Sequence, residues 1–357
     1  MMIEDLPTPC LVLDLGILNR NLERMRAAIA RHPGVTLRPH MKTAKSIEVA
    51  RLAAPGFGPI TVSTLAEAQY FADAGWRDQI YAVGITPQKL DRAAALGCRV
   101  ITDDIEAAAA IALHPGNTRA MVEIDVGEGR GGVLPDEAVA IARGLGTKLC
   151  GIFTHAGHSY AGRSDAEMAR IAEEERAGAS NAAQALRDAG LTVEIVSLGS
   201  SPTALHARSL AGITEVRAGV YMFGDLYQAQ LGTHGPDGIA LTVLASVIGR
   251  KPQRHAVLLD AGGLAMSKDR STANAPLDYG FGLMLDLDGA ATFGHALMTR
   301  THQEHGEVSP VPETLRVGDK VRVAPNHTCM TAAAHQSYHV VNGGRDVVAV
   351  WDRVNGW

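Results

Sequence analysis

Short apolar runs alternate with stretches of helical period from about residue 15 to residue 235. ILNRNLERMRAAIARH places Ile17, Leu18, Leu22, Met25 and Ile29 on one helical face. VTLRPH, PITVST, QIYAVG, RVITDD, AMVEIDVG, LCGIFTHAG, TVEIVSLGSS and EVRAGVYMFGD predict strands. KSIEVARLAA, LAEAQYFADAG, QKLDRAAALG, IEAAAAIALH, PDEAVAIARGLG and the run from Ser164 to Gly190 predict helices between them. About eight strand–helix units with short apolar strands predict a parallel (β/α)8 barrel of the TIM type, with a doubly wound sheet as the rival.

Past residue 236 the period changes to two. ALTVLASVIGR, HAVLLDAGG, GDKVRVAPNHTC, SYHVV and DVVAVWDRV alternate in and out, with turn residues such as NGG between them. An antiparallel β-domain is expected, and the opening TPCLVLDL is strand-like enough to join it. The expected organisation is a barrel over 15–235 and a β-domain built from 1–14 and 236–357.

Composition narrows the function classes. A net charge of −5 gives no basic surface for a nucleic-acid backbone. No apolar run reaches the length of a membrane span, and the first residues lack a signal-peptide pattern. The four cysteines, Cys10, Cys98, Cys150 and Cys329, are scattered, which suits a reduced cytoplasmic setting better than a disulfide framework.

In a barrel the chemistry gathers where strands end and loops begin. Lys42 in LRPHMKTAKS follows the first barrel strand. Buried there it would lose hydration and become a nucleophilic amine for a Schiff base; solvated, it would merely cap a loop. Other strand ends carry Thr64, Asp103, Asp125 with Arg130, and His155 with His158. SLGSSPT, with Gly199, Ser200 and Ser201, offers backbone N–H groups and hydroxyls to a phosphate, and Gly219 and Tyr221 lie just downstream. A strand-end lysine paired with such a loop suggests pyridoxal phosphate. In PNHTC, His327 and Cys329 are two apart; on a strand they face one way and suit Zn²⁺, or they are a buried pair without metal.

These segments together resemble the fold-type III, alanine racemase-like pyridoxal-phosphate enzymes, and within them the metal-dependent D-serine dehydratases and D-threonine aldolases. RPHMKTAKS, VEIDVGEGRGGV, SLGSSPT, TEVRAGVYMFGD, LLDAGGLAMSKD, QEHG and PNHTC carry the resemblance across nearly the whole chain. It implies Lys42 as the Schiff-base lysine, and Gly199, Ser200, Ser201, Gly219 and Tyr221 as holders of the cofactor phosphate. It implies His327 and Cys329 as ligands of a divalent metal, Zn²⁺ before Mn²⁺ or Mg²⁺, with His305 lining the same site. It also implies a head-to-tail homodimer whose sites are completed by the partner's C-terminal domain. Ala44 departs from the family's second histidine.

The implied reaction is the elimination of water from a β-hydroxy D-amino acid, giving a 2-oxo acid and ammonia. Lys42 would be the base at Cα and the metal would bind the β-hydroxyl. The alternative is retro-aldol cleavage to glycine and an aldehyde, with His155 or His158 as base at the hydroxyl. A racemase or a non-catalytic cofactor carrier fits less well, because neither uses a metal pair. Cysteine in the His-x-Cys pair leans toward the dehydratases.

Overall fold

The computed structural model describes residues 1–357. They divide into two compact units, Arg24–Gly219 with Val354–Trp357, and Met1–Glu23 with Val220–Arg353. The chain enters through strand β1 (Cys10–Asp14) and helix Leu15–Ala30. Eight strands follow: β2 (Thr36–Pro39), β3 (Ile60–Val62), β4 (Gln79–Gly84), β5 (Arg99–Thr102), β6 (Ala120–Ile124), β7 (Leu149–Thr154), β8 (Ile195–Leu198) and β9 (Glu215–Ala218). They form one sheet in the order β2-β9-β8-β7-β6-β5-β4-β3, and every hydrogen-bonded pair is parallel. The two ends of that order meet at a parallel bridge between His40 and Thr61, where the Met41 N–H donates to the Thr61 carbonyl at 2.8 Å. The (β/α)8 barrel expected from the period is the fold observed.

Small and aliphatic side chains fill the barrel, as the low aromatic content requires. Ile80, Ile101, Met121, Cys150 and Phe153 form one buried cluster, and each large apolar member contributes roughly 1.5–3 kcal/mol. Polar residues at strand ends start the helices that follow. Thr64 accepts from the Glu67 N–H at 3.0 Å, and Asp104 accepts from the Ala107 N–H at 2.8 Å. Thr64 is therefore a helix cap rather than a reactive group. Helix Asp165–Asp188 buries Met168, Ile171, Ala172, Glu175, Ala179, Ala182, Ala183 and Leu186, a stripe of helical period with one charged member.

The second unit carries the strands of period two: β10 (Leu241–Lys251), β11 (Ala256–Leu259), β12 (Leu283–Leu285), β13 (Leu297–Thr301), β14 (Gly306–Ser309), β15 (Lys320–Ala324), β16 (Ser337–Val341) and β17 (Ala349–Asp352). The sheet runs β11-β14-β13-β12-β15-β10-β1-β16-β17, and β11 also pairs with β10, so six strands close into a ring. The expected antiparallel sheet holds with one exception. β1 is antiparallel to β10 and parallel to β16. All five of its residues are buried, which is why CLVL is continuously apolar and not alternating, and the closing Asp14 accepts from the Ile17 and Gly343 N–H groups. Ile3, Leu6, Cys10, Val12, Leu244 and Val341 form the core beside it. No helix of the chain is long and apolar enough to cross a membrane.

Candidate active site

The barrel seam places Lys42. The His40 N–H donates to Ala218 on β9 at 2.7 Å and the Met41 N–H to Thr61 on β3, so both neighbours of the lysine's turn are fixed. Met41, Thr43 and Ala44 are buried while Lys42 is exposed. Of the two readings of this lysine, buried or solvated, the chain by itself shows the exposed one: the turn buries the residues on either side and leaves Lys42 accessible. Lys45 closes the turn at φ +48°, with its Nζ 3.0 Å from the fully buried Glu67. Burial raises the Glu67 carboxyl above its ordinary range, and the Lys45 charge only partly offsets this.

His155 and His158 reach the same mouth from the end of β7. Nδ1 of His155 lies 3.0 Å from the Gly199 carbonyl oxygen. Burial, then the charge of Lys42, lowers its pKa to about 3, so the ring is neutral. With Nδ1 as donor to Gly199, Nε2 is left as an acceptor. His40 is lowered for the same two reasons. The buried Nδ1 of His158 has no hydrogen-bond partner in the chain, and its ring packs where a Cβ on Gly127 would lie 3.3 Å away. In GEGRGG, Asp125 Oδ1 takes the N–H groups of Gly127, Glu128 and Gly129, and Asp103 takes that of Gly132 at 2.7 Å.

The SLGSS segment is organised differently from an open cradle. The Gly199 N–H donates to Glu175 at 2.9 Å and the Ser200 N–H donates to Thr203 Oγ1 at 3.1 Å. Ser200 Oγ accepts from the Thr203 N–H at 3.2 Å. These groups, expected to be free for a phosphate, are taken by a capping box and a buried carboxylate. Gly199 serves through its backbone: φ is +138°, and a Cβ would strike the Arg217 carbonyl oxygen at 2.2 Å. Gly219 is needed for close approach, since its Cβ would lie 2.8 Å from the His40 oxygen. Ser201 is buried in the first turn of Ser201–His206. Tyr221 is buried in the other unit.

Arg217 was not picked out from sequence. It is buried, stacks 3.5 Å over the Phe153 ring, and donates to Ser197 Oγ at 2.5 Å and to the Thr154 carbonyl. Burial lowers its pKa to about 10 against the pull of Glu215, Glu175 and Glu123. An inward arginine on a strand reading EVRA was the available signal.

In the β-unit, PNHTC is not a strand. β15 ends at Ala324, His327 is the N-cap of helix Thr328–Ala332, and Cys329 lies in its first turn. The pair comes together through this turn and not through strand alternation. A hydrogen bond joins His327 to Cys329, and Asp269 Oδ2 lies 3.5 Å from His327 Nδ1. Burial opposes a charged imidazole here, but Cys329, Asp269 and Asp225 together raise His327 to about 11. Asp225, fully buried, accepts from the Thr328 N–H at 3.2 Å, between His327 and Cys329 in the chain. Asn326 donates to the carbonyls of Asp269 and Gly280 at 3.1 and 2.7 Å. No set of three or more His, Cys, Asp or Glu side chains converges as a metal site. His305 is exposed in the β13–β14 hairpin turn, where its carbonyl accepts from the His302 N–H at 2.8 Å.

Both implied groups fit these residues. Lys42 follows β2 and its charge acts on the neutral His155 ring after β7, so a Schiff-base lysine for pyridoxal phosphate would have a neutral acceptor near it at the barrel mouth. His327 and Cys329 suit a borderline-soft divalent cation, which would displace the proton they share. Asp269 stands where a carboxylate orients a ligating imidazole.

Residues 13–227 match the family model for the alanine racemase N-terminal domain, and residues 240–341 match that for a putative serine dehydratase domain. The chain is 41% identical to the D-threo-3-hydroxyaspartate dehydratase of Delftia sp. (strain HT23), over 99% of this chain and 98% of that one. It is 31% identical to a 3-hydroxy-D-aspartate aldolase of Paracoccus denitrificans (strain Pd 1222), over 97% and 91%. A solved cysteine-to-alanine mutant of a D-threo-3-hydroxyaspartate dehydratase, in its metal-free form, superimposes with a TM-score of 0.95 at 39% identity, covering 100% of both chains.

Proposed function

The chain belongs to the alanine racemase-like, fold-type III pyridoxal-phosphate family, and from that premise we propose that it eliminates water from β-hydroxy D-amino acids, yielding a 2-oxo acid and ammonia. The substrate class follows the relatives, of which the dehydratase of D-threo-3-hydroxyaspartate matches end to end. Lys42 would hold pyridoxal phosphate, with Ser200, Ser201, Gly219 and Tyr221 on the side of its phosphate, and the group would supply an electron sink at Cα. His327 and Cys329 would hold a divalent metal, Zn²⁺ by donor chemistry, which would supply a Lewis acid for the β-hydroxyl.

The chain's own residues do the rest. The Lys42 amine takes the α-proton, since Lys42 is accessible at the barrel mouth and its charge acts on the His155 ring. His155, neutral and tied to Gly199, offers Nε2 as an acceptor and adds no positive charge beside Lys42. His305 lines the substrate side. The active form is a head-to-tail homodimer in the cytoplasm, each site completed by the partner's β-unit. The observation that carries a lyase over a racemase is the His327–Cys329 pair, because racemisation at Cα has no use for a metal at Cβ.

A second reading is favoured by one observation. Retro-aldol cleavage needs a base for the β-hydroxyl proton, and the unpartnered Nδ1 of His158 is such a base. A product assay separates the two. The protein with pyridoxal phosphate and Zn²⁺ or Mn²⁺ is given D-threo-3-hydroxyaspartate, D-serine and D-threonine, and 2-oxo acid and glycine are measured. Oxo acid without glycine is the expected result. Glycine with an aldehyde would replace elimination by cleavage.

A further inference from the structure

Helix Asp165–Asp188 presents an apolar stripe to the barrel, and Glu175 interrupts it. The residue is fully buried. Burying a carboxylate costs several kcal/mol unless its lone pairs are filled, and here they are. Oε1 accepts from Thr154 Oγ1 at 3.0 Å and from the Gly199 N–H at 2.9 Å. Oε2 accepts from Thr203 Oγ1 at 2.8 Å. Three segments thus converge on one side chain: the end of β7, the loop after β8, and the short helix Ser201–His206.

We propose that Glu175 is a positioning residue that presets the Gly199–Thr203 loop for the cofactor's phosphate. The proposal rests on the pyridoxal-phosphate reading above. Glu175 is no phosphate ligand, since a carboxylate repels a dianion. It acts through the backbone. Gly199 is held at a φ of +138°, one of several conformations open to a glycine, and the hydrogen bond from its N–H helps to select it. The same carboxylate holds Thr203 Oγ1, which in turn accepts from the Ser200 N–H. The Gly199 carbonyl is fixed in the same way, to the His155 ring at 3.0 Å, so the loop that precedes Ser201 is held from both of its peptide groups. An apolar residue would pack the helix equally well but would release Gly199 and Thr203 together.

The test compares cofactor forms with and without the phosphate. Wild type, Glu175→Gln and Thr203→Val are titrated with pyridoxal phosphate and with pyridoxal, and imine absorbance gives both dissociation constants. Glutamine keeps the size but offers one acceptor oxygen where donors arrive at two. Valine removes one hydroxyl, keeps the carboxylate, and carries the test where Glu175→Gln does not fold. Each variant is expected to bind pyridoxal phosphate about tenfold more weakly and pyridoxal within about twofold of wild type. Equal weakening of both forms, or of neither, overturns the proposal. A wild type that forms no imine with pyridoxal phosphate overturns the cofactor reading and this inference with it.

Discussion

At the barrel mouth, Lys42, His155 and Ser201 arrive from the ends of β2, β7 and β8, far apart in the chain. In the β-unit, His327 and Cys329 arrive together from one turn after β15. The first arrangement depends on closure of an eight-stranded ring and on buried side chains such as Glu175 that tie one strand end to another. The second depends on a few anchors, Asp225 on Thr328 and Asn326 on Asp269, that hold a local turn. The barrel mouth should therefore respond to changes in distant segments, while the His–Cys turn should respond mainly to its own neighbours.

The comparison breaks most sharply at the reactive residues themselves. Lys42→Ala should abolish imine absorbance and turnover while leaving the thermal midpoint near wild type, because the side chain is exposed. An imine band surviving in this variant would move the Schiff base elsewhere. Cys329→Ala should remove bound metal and elimination, measured by metal analysis and product assay, yet keep the imine band. Loss of cofactor in the same variant would show that the two regions are not independent.

Smaller effects sharpen the contrast. Asp269→Asn should lower metal affinity roughly 10–100-fold by freeing the His327 ring, with pyridoxal phosphate affinity unchanged. Acid should loosen the barrel through His155. Its native pKa of about 3 lies below the ordinary 6.5, so the unfolded chain takes a proton that the folded chain refuses. Stability then falls as pH drops from about 6.5 toward about 3. Denaturant titrations of His155→Gln should show a flatter acid limb over that window; an unchanged limb would mean that other groups set it. Thr64→Ala should cost about 1 kcal/mol and spare both sites, as removal of a helix cap does.

The alternation of apolar strands with helical stretches made the barrel legible, and the change to period two marked the β-unit. Lys42 was singled out by its place after a strand and the His–Cys pair by residue type and spacing, while their expected roles came from the family resemblance. Errors arose where a local pattern had to stand for a fold. PNHTC was read as a continuing strand because GDKVRVA alternates before it, but a proline and a buried Asp225 turn the chain at that point. The Gly199 N–H of SLGSS was read as free because its partner, Glu175, lies more than twenty residues earlier in a helix. Arg217 was passed over since one arginine in an apolar strand says nothing of the Phe153 ring it covers.

The sequence by itself determined which elements form and which residue types are present for chemistry, because period, caps and glycines act over a few neighbouring residues. Only the tertiary structure decided which donors are spent and which side chains face outward. Those depend on burial and on hydrogen-bond partners contributed by remote segments, and a buried polar group takes whichever partner the fold brings to it.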